Sequence, residues 1–288
     1  KHFNRKLYGK SGNDKIVINS YGKIVDRKQS LLPQDGEDIT LSIDLDLQKI
    51  AYEELNKINK KGAVVSMDLE TGEILTFFSN PTYDANKFIN GISQKDYDKY
   101  FKVDSPLFNR VVQGQYPPAS TIKPFMGLAG LDGQFINAEE IINSGGVYQI
   151  GKQKFRDWKR WGHGKIDMIQ AIAVSSDFYF YRLAHKMGID YIHDYLGYFG
   201  YGKKLDIPFT NQKSGLLPSN EWKIKRYKEP FYAGDIVIVG IGQGSFLATP
   251  IQMLNSTAMI ANNGKSLKMK FIKENKPEIS SQIEIDKE

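Results

Sequence analysis

The sequence predicts an α+β fold in which an antiparallel sheet packs with helices. Three observations carry that prediction. Two strand-like runs, 62–68 and 73–78, are joined by Leu69-Glu70-Thr71-Gly72, a hairpin with glycine in the turn. Apolar residues recur at helical spacing over 166–174, 178–187, 190–198 and 250–261. The 288 residues are 41% hydrophobic and 25% charged, which supports one sizeable core with a small appendage.

Taken in order, residues 1–37 are polar with short alternating pieces. Ile16-Val17-Ile18 and Lys23-Ile24-Val25 read as strands, with turns at Gly12-Asn13-Asp14 and Tyr21-Gly22. Gln34-Asp35-Gly36-Glu37 marks a boundary, so the expected units are 1–37 and 38–288. Leu45, Leu47, Ile50, Ala51, Leu55 and Ile58 form a helical pattern, with Asp44 at its start. After the 62–78 hairpin, 84–110 is a polar excursion. Residues 136–165 are Gly-rich and aromatic, with only short strand signals. The helix over 250–261 stops at Asn262-Asn263-Gly264.

Composition narrows the chemistry. With no cysteine, a thiol nucleophile, a disulfide framework and Cys-ligated metal are excluded. The net charge of +6 and the run Lys223-Ile224-Lys225-Arg226 are offset by 33 acidic residues, so a solvated face is expected and nucleic acid is not. No run of about eighteen apolar residues is present, so no transmembrane helix is expected.

The chemistry concentrates in Tyr116-Pro117-Pro118-Ala119-Ser120-Thr121-Ile122-Lys123-Pro124. Proline favours a helix start, and an apolar helical pattern follows. Ser120 and Lys123 then lie one turn apart on the same side. A serine hydroxyl is a poor nucleophile until its proton is taken. A partly buried lysine can take it. Ser175-Ser176-Asp177 is a second constellation, ahead of an aromatic helix. It suits a helix cap. It also offers a second hydroxyl, at Ser175, and a polar group, at Asp177.

At these residues the chain resembles the penicillin-binding protein 2 family, class B monofunctional transpeptidases of rod elongation. The likeness runs from about Leu7 to about Gly264. It includes Asp38-Ile39-Thr40-Leu41-Ser42-Ile43-Asp44, Arg156-Asp157-Trp158-Lys159, Trp161-Gly162-His163-Gly164, Glu221-Trp222, Gly240-Ile241-Gly242-Gln243-Gly244 and Ala248-Thr249-Pro250-Ile251-Gln252-Met253. The resemblance implies the serine penicillin-recognising fold, with a mainly antiparallel five-stranded sheet. It implies that 1–37 is a remnant of the membrane-proximal pedestal and 38–288 the transpeptidase domain. The expected location is the periplasmic face of the inner membrane, with the single-pass anchor outside this chain.

The implied reaction is peptidoglycan cross-linking through a serine acyl-enzyme, without a cofactor. Ser120 is the expected nucleophile and Lys123 its base. Ser175 relays the proton, and Asp177 positions side chains and substrate; Ser120, Ser175 and Asp177 also bind substrate. Implied partners are peptidoglycan stem peptides, β-lactam antibiotics, a SEDS-type rod-shape glycosyltransferase and elongation scaffold proteins. Rival readings are a serine β-lactamase or β-lactam sensor, and a non-catalytic binding module.

Two departures accompany the resemblance. The family's third motif, Lys-Thr/Ser-Gly on an edge strand, is not expected at Lys213-Ser214-Gly215, whose flanks make no strand. The chain is therefore expected to be truncated before that motif. Some relatives hold zinc where this chain has Asn143, Asp157, His163 and Ser176. Only two of those are competent ligands and a structural zinc needs four, so no metal is expected and His163 is read as a packed, hydrogen-bonded residue.

Overall fold

The computed structural model describes residues 2–89, 91–103, 105–274 and 276–284. The chain opens with a short helix, α1 (Asn4–Leu7), and a hairpin, β1 (Asn13–Ile18) with β2 (Ile24–Leu31). Lys10 pairs with Gln34 to close the base of this unit. The expected turn at Gly12-Asn13-Asp14 is instead the start of β1. Gly12 runs so close to β2 that a Cβ would fall 2.7 Å from the carbonyl oxygen of Leu31.

Helix α2 (Leu45–Lys57) starts at Asp44, whose carboxylate accepts from the N–H groups of Asp46 and Leu47. β3 (Gly62–Met67) and β4 (Ile74–Asn80) form the expected hairpin, with Val65 opposite Phe77. Gly72 takes the left-handed turn position, φ 79°. Gln48 of α2 docks on the outer edge of β4. Its amide oxygen accepts from Phe77 N–H at 2.9 Å, and its NH2 donates to Phe77 C=O at 3.2 Å. A strand edge left open is a pairing hazard, and this amide closes that position. The helix was legible in its spacing, but its apolar stripe is not core: Ala51 is buried while Leu45, Leu47 and Ile50 stand exposed.

The excursion before the candidate site holds α3 (Gln94–Asp98) and α4 (Arg110–Gln113). A 3-10 turn, Ala119–Ile122, then runs into α5 (Lys123–Asp132). Four short strands follow, β5 (Ile142–Ser144), β6 (Val147–Ile150), β7 (Gln153–Arg156) and β8 (Gly164–Ile166), paired β5 with β8 and β6 with β7. Next come α6 (Met168–Ala173), α7 (Asp177–Met187) and α8 (Ile189–Tyr198). Two helices not expected from the sequence follow, α9 (Asn220–Tyr227) and α10 (Ala233–Gly240). Helix α11 (Pro250–Ala261) begins with a Thr249/Gln252 capping box and is followed by β9 (Lys265–Leu267) and β10 (Ile279–Gln282).

The main core gathers Phe125, Met126 and Ala129 of α5 with Phe180, Leu183 and Ala184 of α7 and Leu196 of α8. A second cluster joins Met67 and Ile74 of the hairpin to Val111, Val112, Ile251 and Ala258. Helix α11 faces both, with Met259 in the first and Ile251 in the second. Phe180 is fully buried, and its truncation to Ala costs about 3–5 kcal/mol. Among the described residues every sheet is two-stranded. The backbone of 270–272 borders the 62–80 hairpin, with Ile74 N–H donating to Lys270 C=O at 2.8 Å.

Candidate active site

Pro117 and Pro118 supply no N–H, and the chain after them must turn sharply. Ala119 does so at φ 51°, and Ser120 lies in the 3-10 turn that follows. Ser120 is exposed, while Lys123 just below it is 1% exposed. The sequence placed both on one helix face. The structure puts them on either side of a junction between a 3-10 turn and α5, where residues three apart eclipse.

Ser175 also has a left-handed backbone, φ 54°, in the tight connection between α6 and α7. That conformation turns both its carbonyl and its hydroxyl toward Lys123. The lysine Nζ donates to Ser175 O at 2.8 Å, to Ser175 Oγ at 3.0 Å and to Asp177 Oδ1 at 2.6 Å. Ser175 Oγ donates to Ser120 Oγ at 2.9 Å. The hydrogen-bonded path from Ser120 to Lys123 therefore runs through Ser175. All four candidate residues come together, although 52 positions separate Lys123 from Ser175.

The ammonium group is enclosed. Three acceptors match its three N–H donors, and the Phe180 ring lies below it, 5.7 Å from Nζ to centroid. Trp158, itself largely exposed, braces the connection that carries Ser175. Its indole N–H is shared between Val174 O and Ser175 O, each at 3.2 Å. Sequence reasoning assigned no role to Phe180 or Trp158. Trp158 falls in a stretch that matched the family, and Phe180 carried no signal beyond an aromatic-rich helix.

Beneath this layer a polar knot fixes the start of α7. Asp157 accepts from Phe178 N–H at 2.8 Å, Lys159 N–H at 3.1 Å and Ser176 Oγ at 3.1 Å, and its Oδ1 lies 3.1 Å from His163 Nε2. Burial works against the Asp157 charge, but these donors, Phe178 first, outweigh it and hold the carboxyl below the usual carboxylate range. Ser144 Oγ completes the knot, 3.0 Å from Ser176 Oγ. Asn143, grouped with Asp157, His163 and Ser176 from the sequence, is exposed on the other face of β5, which alternates buried, exposed, buried over 142–144. His163 is packed in its loop as expected, with its side chain 3% exposed. Two hydroxyls, one carboxylate and one imidazole do not fit a structural zinc. Among the described residues no group of three or more His, Cys, Asp or Glu could hold a metal.

Lys213-Ser214-Gly215 forms no strand. Gly215 is left-handed, φ 66°, Ser214 O accepts from Gln252 Nε2 at 2.7 Å, and strand pairing is limited to the single bridge of Leu216 with Leu247. A cavity lined by Leu131, Phe135, Lys186 and Tyr195 among others lies away from these residues.

Residues 62–288 match the penicillin binding protein transpeptidase domain. The chain is 39% identical over 267 residues to peptidoglycan D,D-transpeptidase MrdA of Escherichia coli, covering 92% of this chain and 42% of that protein. The structure of Pseudomonas aeruginosa PBP2 in complex with WCK 5153 is 40% identical, with a TM-score of 0.82 over 88% of this chain and 57% of that one. Helicobacter pylori PBP2, in complex with MreC, is 36% identical with a TM-score of 0.91 over 98% of this chain and 53% of that one. The chain thus spans about two-fifths of the length of the curated relative from E. coli, 42% of it.

Proposed function

As this chain belongs to the penicillin binding protein transpeptidase family, we propose that it performs peptidoglycan D,D-transpeptidation, with Ser120 as nucleophile. The observation that carries the reading is the continuous contact from Ser120 Oγ through Ser175 Oγ to Lys123 Nζ and on to Asp177.

The Ser120 oxygen bonds to the penultimate D-Ala carbonyl carbon of a stem peptide. Once the Lys123 ammonium has released one proton to solvent, the Ser120 proton passes to Ser175 and the Ser175 proton passes to Lys123. The ammonium so formed is held by Asp177 and the Ser175 carbonyl. Collapse of the tetrahedral intermediate breaks the peptide C–N bond, and the terminal D-Ala leaves with a proton returned along the same path. An amine from a neighbouring stem then attacks the ester carbonyl, releasing Ser120 and forming the cross-link; water in its place gives carboxypeptidation. A β-lactam enters as a D-Ala-D-Ala mimic, and the ring amide takes the place of the scissile bond.

We assign residues 1–37 to a pedestal and 38–288 to the transpeptidase unit. The H. pylori relative is recorded in complex with MreC. That likeness supports an elongation scaffold protein as partner; a SEDS-type glycosyltransferase and the periplasmic face of the inner membrane are read from the family resemblance. No helix among the described residues is long and apolar enough to cross a membrane, so on this reading the anchor lies outside them.

The test offers the full-length protein a donor peptide ending in D-Ala-D-Ala together with an amine acceptor. The reading expects D-Ala release with a cross-linked product, both lost in Ser120→Ala. Rapid β-lactam hydrolysis without D-Ala release would favour a β-lactamase instead.

A further inference from the structure

The run Gly240-Ile241-Gly242-Gln243-Gly244 contributes no side chain to the relay, yet it touches both halves of the site. On one side it meets the turn that carries Ser120. Ala119 N–H donates to Gly242 C=O at 2.8 Å. A Cβ on Gly242 would fall 2.2 Å from Ala119 O and 2.7 Å from Ala119 N. These are backbone atoms, which cannot swing aside. Gly242 is also left-handed, φ 73°. A few residues on, Tyr116 and Ala248 exchange both backbone hydrogen bonds, at 2.9 and 2.8 Å. The segment 116–119 is thus strapped at both ends to 242–248.

On the other side, the same run seats α10 on α7. A Cβ on Gly240 would fall 2.3 Å from Ala184 Cβ and 3.2 Å from Phe180 O. Helix α7 begins at Asp177, two residues after Ser175. The backbone over 240–242 therefore spans from the turn that bears Ser120 to the helix that follows Ser175 and bears Asp177. Ala119, held by this strap, keeps a left-handed backbone that an alanine does not choose on its own.

We propose that Gly240 and Gly242 are positioning residues for acyl transfer, a two-glycine clamp that sets the separation of Ser120 from Ser175. The proposal rests on Ser120 being the nucleophile. The clamp acts through backbone contact, and it governs the chemical step rather than ligand capture. A misplacement of about 1 Å in a reacting group costs on the order of 10²-fold in rate.

The experiment separates binding from chemistry in the full-length protein with a fluorescent penicillin, resolving the pre-acylation dissociation constant from the acylation rate constant. Gly242→Ala is expected to slow acylation about 10²-fold while that dissociation constant stays within about two-fold. Gly240→Ala, which would drive α10 off Ala184 of α7, is expected to slow acylation about ten-fold, and adding Ala184→Gly is expected to restore the rate. Ala119→Gly keeps the backbone straps and is the control, expected to acylate at the unsubstituted rate. If Gly242→Ala does not fold, Gly240→Ala with its Ala184→Gly rescue decides. Gly242→Ala or Gly240→Ala, folded and acylating at the unsubstituted rate, overturns the clamp while leaving Ser120 as nucleophile. An unsubstituted protein that takes no label overturns the nucleophile reading, and the clamp with it.

Discussion

Ser175 Oγ lies 2.9 Å from Ser120 Oγ and donates its hydrogen to it. The same residue offers Lys123 both its hydroxyl and its carbonyl, at 3.0 and 2.8 Å. One serine thus anchors the lysine through its backbone and links it to Ser120 through its side chain. Loss of one proton from the lysine ammonium, with reversal of the two hydroxyl hydrogens, turns this arrangement into a proton path leading away from Ser120 without moving a heavy atom. That is the kind of pre-organisation that proton transfer rewards.

Lys123 is the test of direction. Lys123→Ala is expected to cut acylation by roughly 10²–10⁴-fold or more, the usual worth of general-base help. Lys123→Arg keeps a positive charge but stays protonated and cannot serve as base, so it should not rescue the rate. Stopped-flow acylation of both variants is the measurement. A near-normal rate in the arginine variant would contradict the base role.

Asp157 is expected to matter for stability. Asp157→Ala strands buried donors on Phe178, Lys159 and Ser176, and each lost hydrogen bond to a charged group is worth about 1.5–3 kcal/mol. Urea unfolding should show a fall of at least that size. The carboxyl sits below the usual range in the folded chain, so its stabilisation is present above the ordinary Asp pKa of about 3.9. It is lost as pH falls through the folded value. Asp157→Asn should flatten that acid limb; an unchanged limb would discount the knot.

Much of this was legible in the sequence, because it lay in spacing and capping. The Asp44 cap of α2, the glycine turn of the 62–80 hairpin and the start of α11 at Pro250 all fall where expected. Helix α10 was missed since Ala-Gly-Asp-Ile-Val-Ile-Val-Gly is nearly all apolar, and a short run with a single polar position shows no period. Asn143 entered only as the position matching a zinc ligand of some relatives; the knot itself, with Ser144 in it, was not read, because which face of a strand a residue takes depends on register that sequence alone does not fix. The four candidate residues were legible as motifs. The left-handed turns at Ala119 and Ser175 were not, since neither is glycine.

Buried phenols give an alkaline prediction. Burial pushes Tyr201 up to about 12, against a hydrogen bond with Ser256 that pulls the other way, and burial likewise pushes Tyr181 up to about 12. A raised folded pKa means this stabilisation is intact below the unfolded value of about 10 and is lost as pH rises toward 12. Absorbance titration at alkaline pH should show a late phenolate fraction that shrinks in Tyr201→Phe. Complete ionisation near pH 10, with the fold intact, would contradict the burial.

The knot is expected to hold without zinc. Its members are Ser144, Asp157, His163 and Ser176, and hydroxyls are not the ligands of a structural zinc site. Elemental analysis after mild dialysis should find far less than one equivalent. A stoichiometric, dialysis-resistant zinc would show that these residues rearrange around a metal.

The most direct measurement of the central claim is the residue that becomes covalently modified. Full-length protein is labelled with a fluorescent penicillin, digested, and the labelled peptide sequenced by mass spectrometry, alongside folded Ser120→Ala. The account predicts the acyl group on Ser120 and no label in the variant. A label on any other serine, or undiminished labelling of Ser120→Ala, would contradict it.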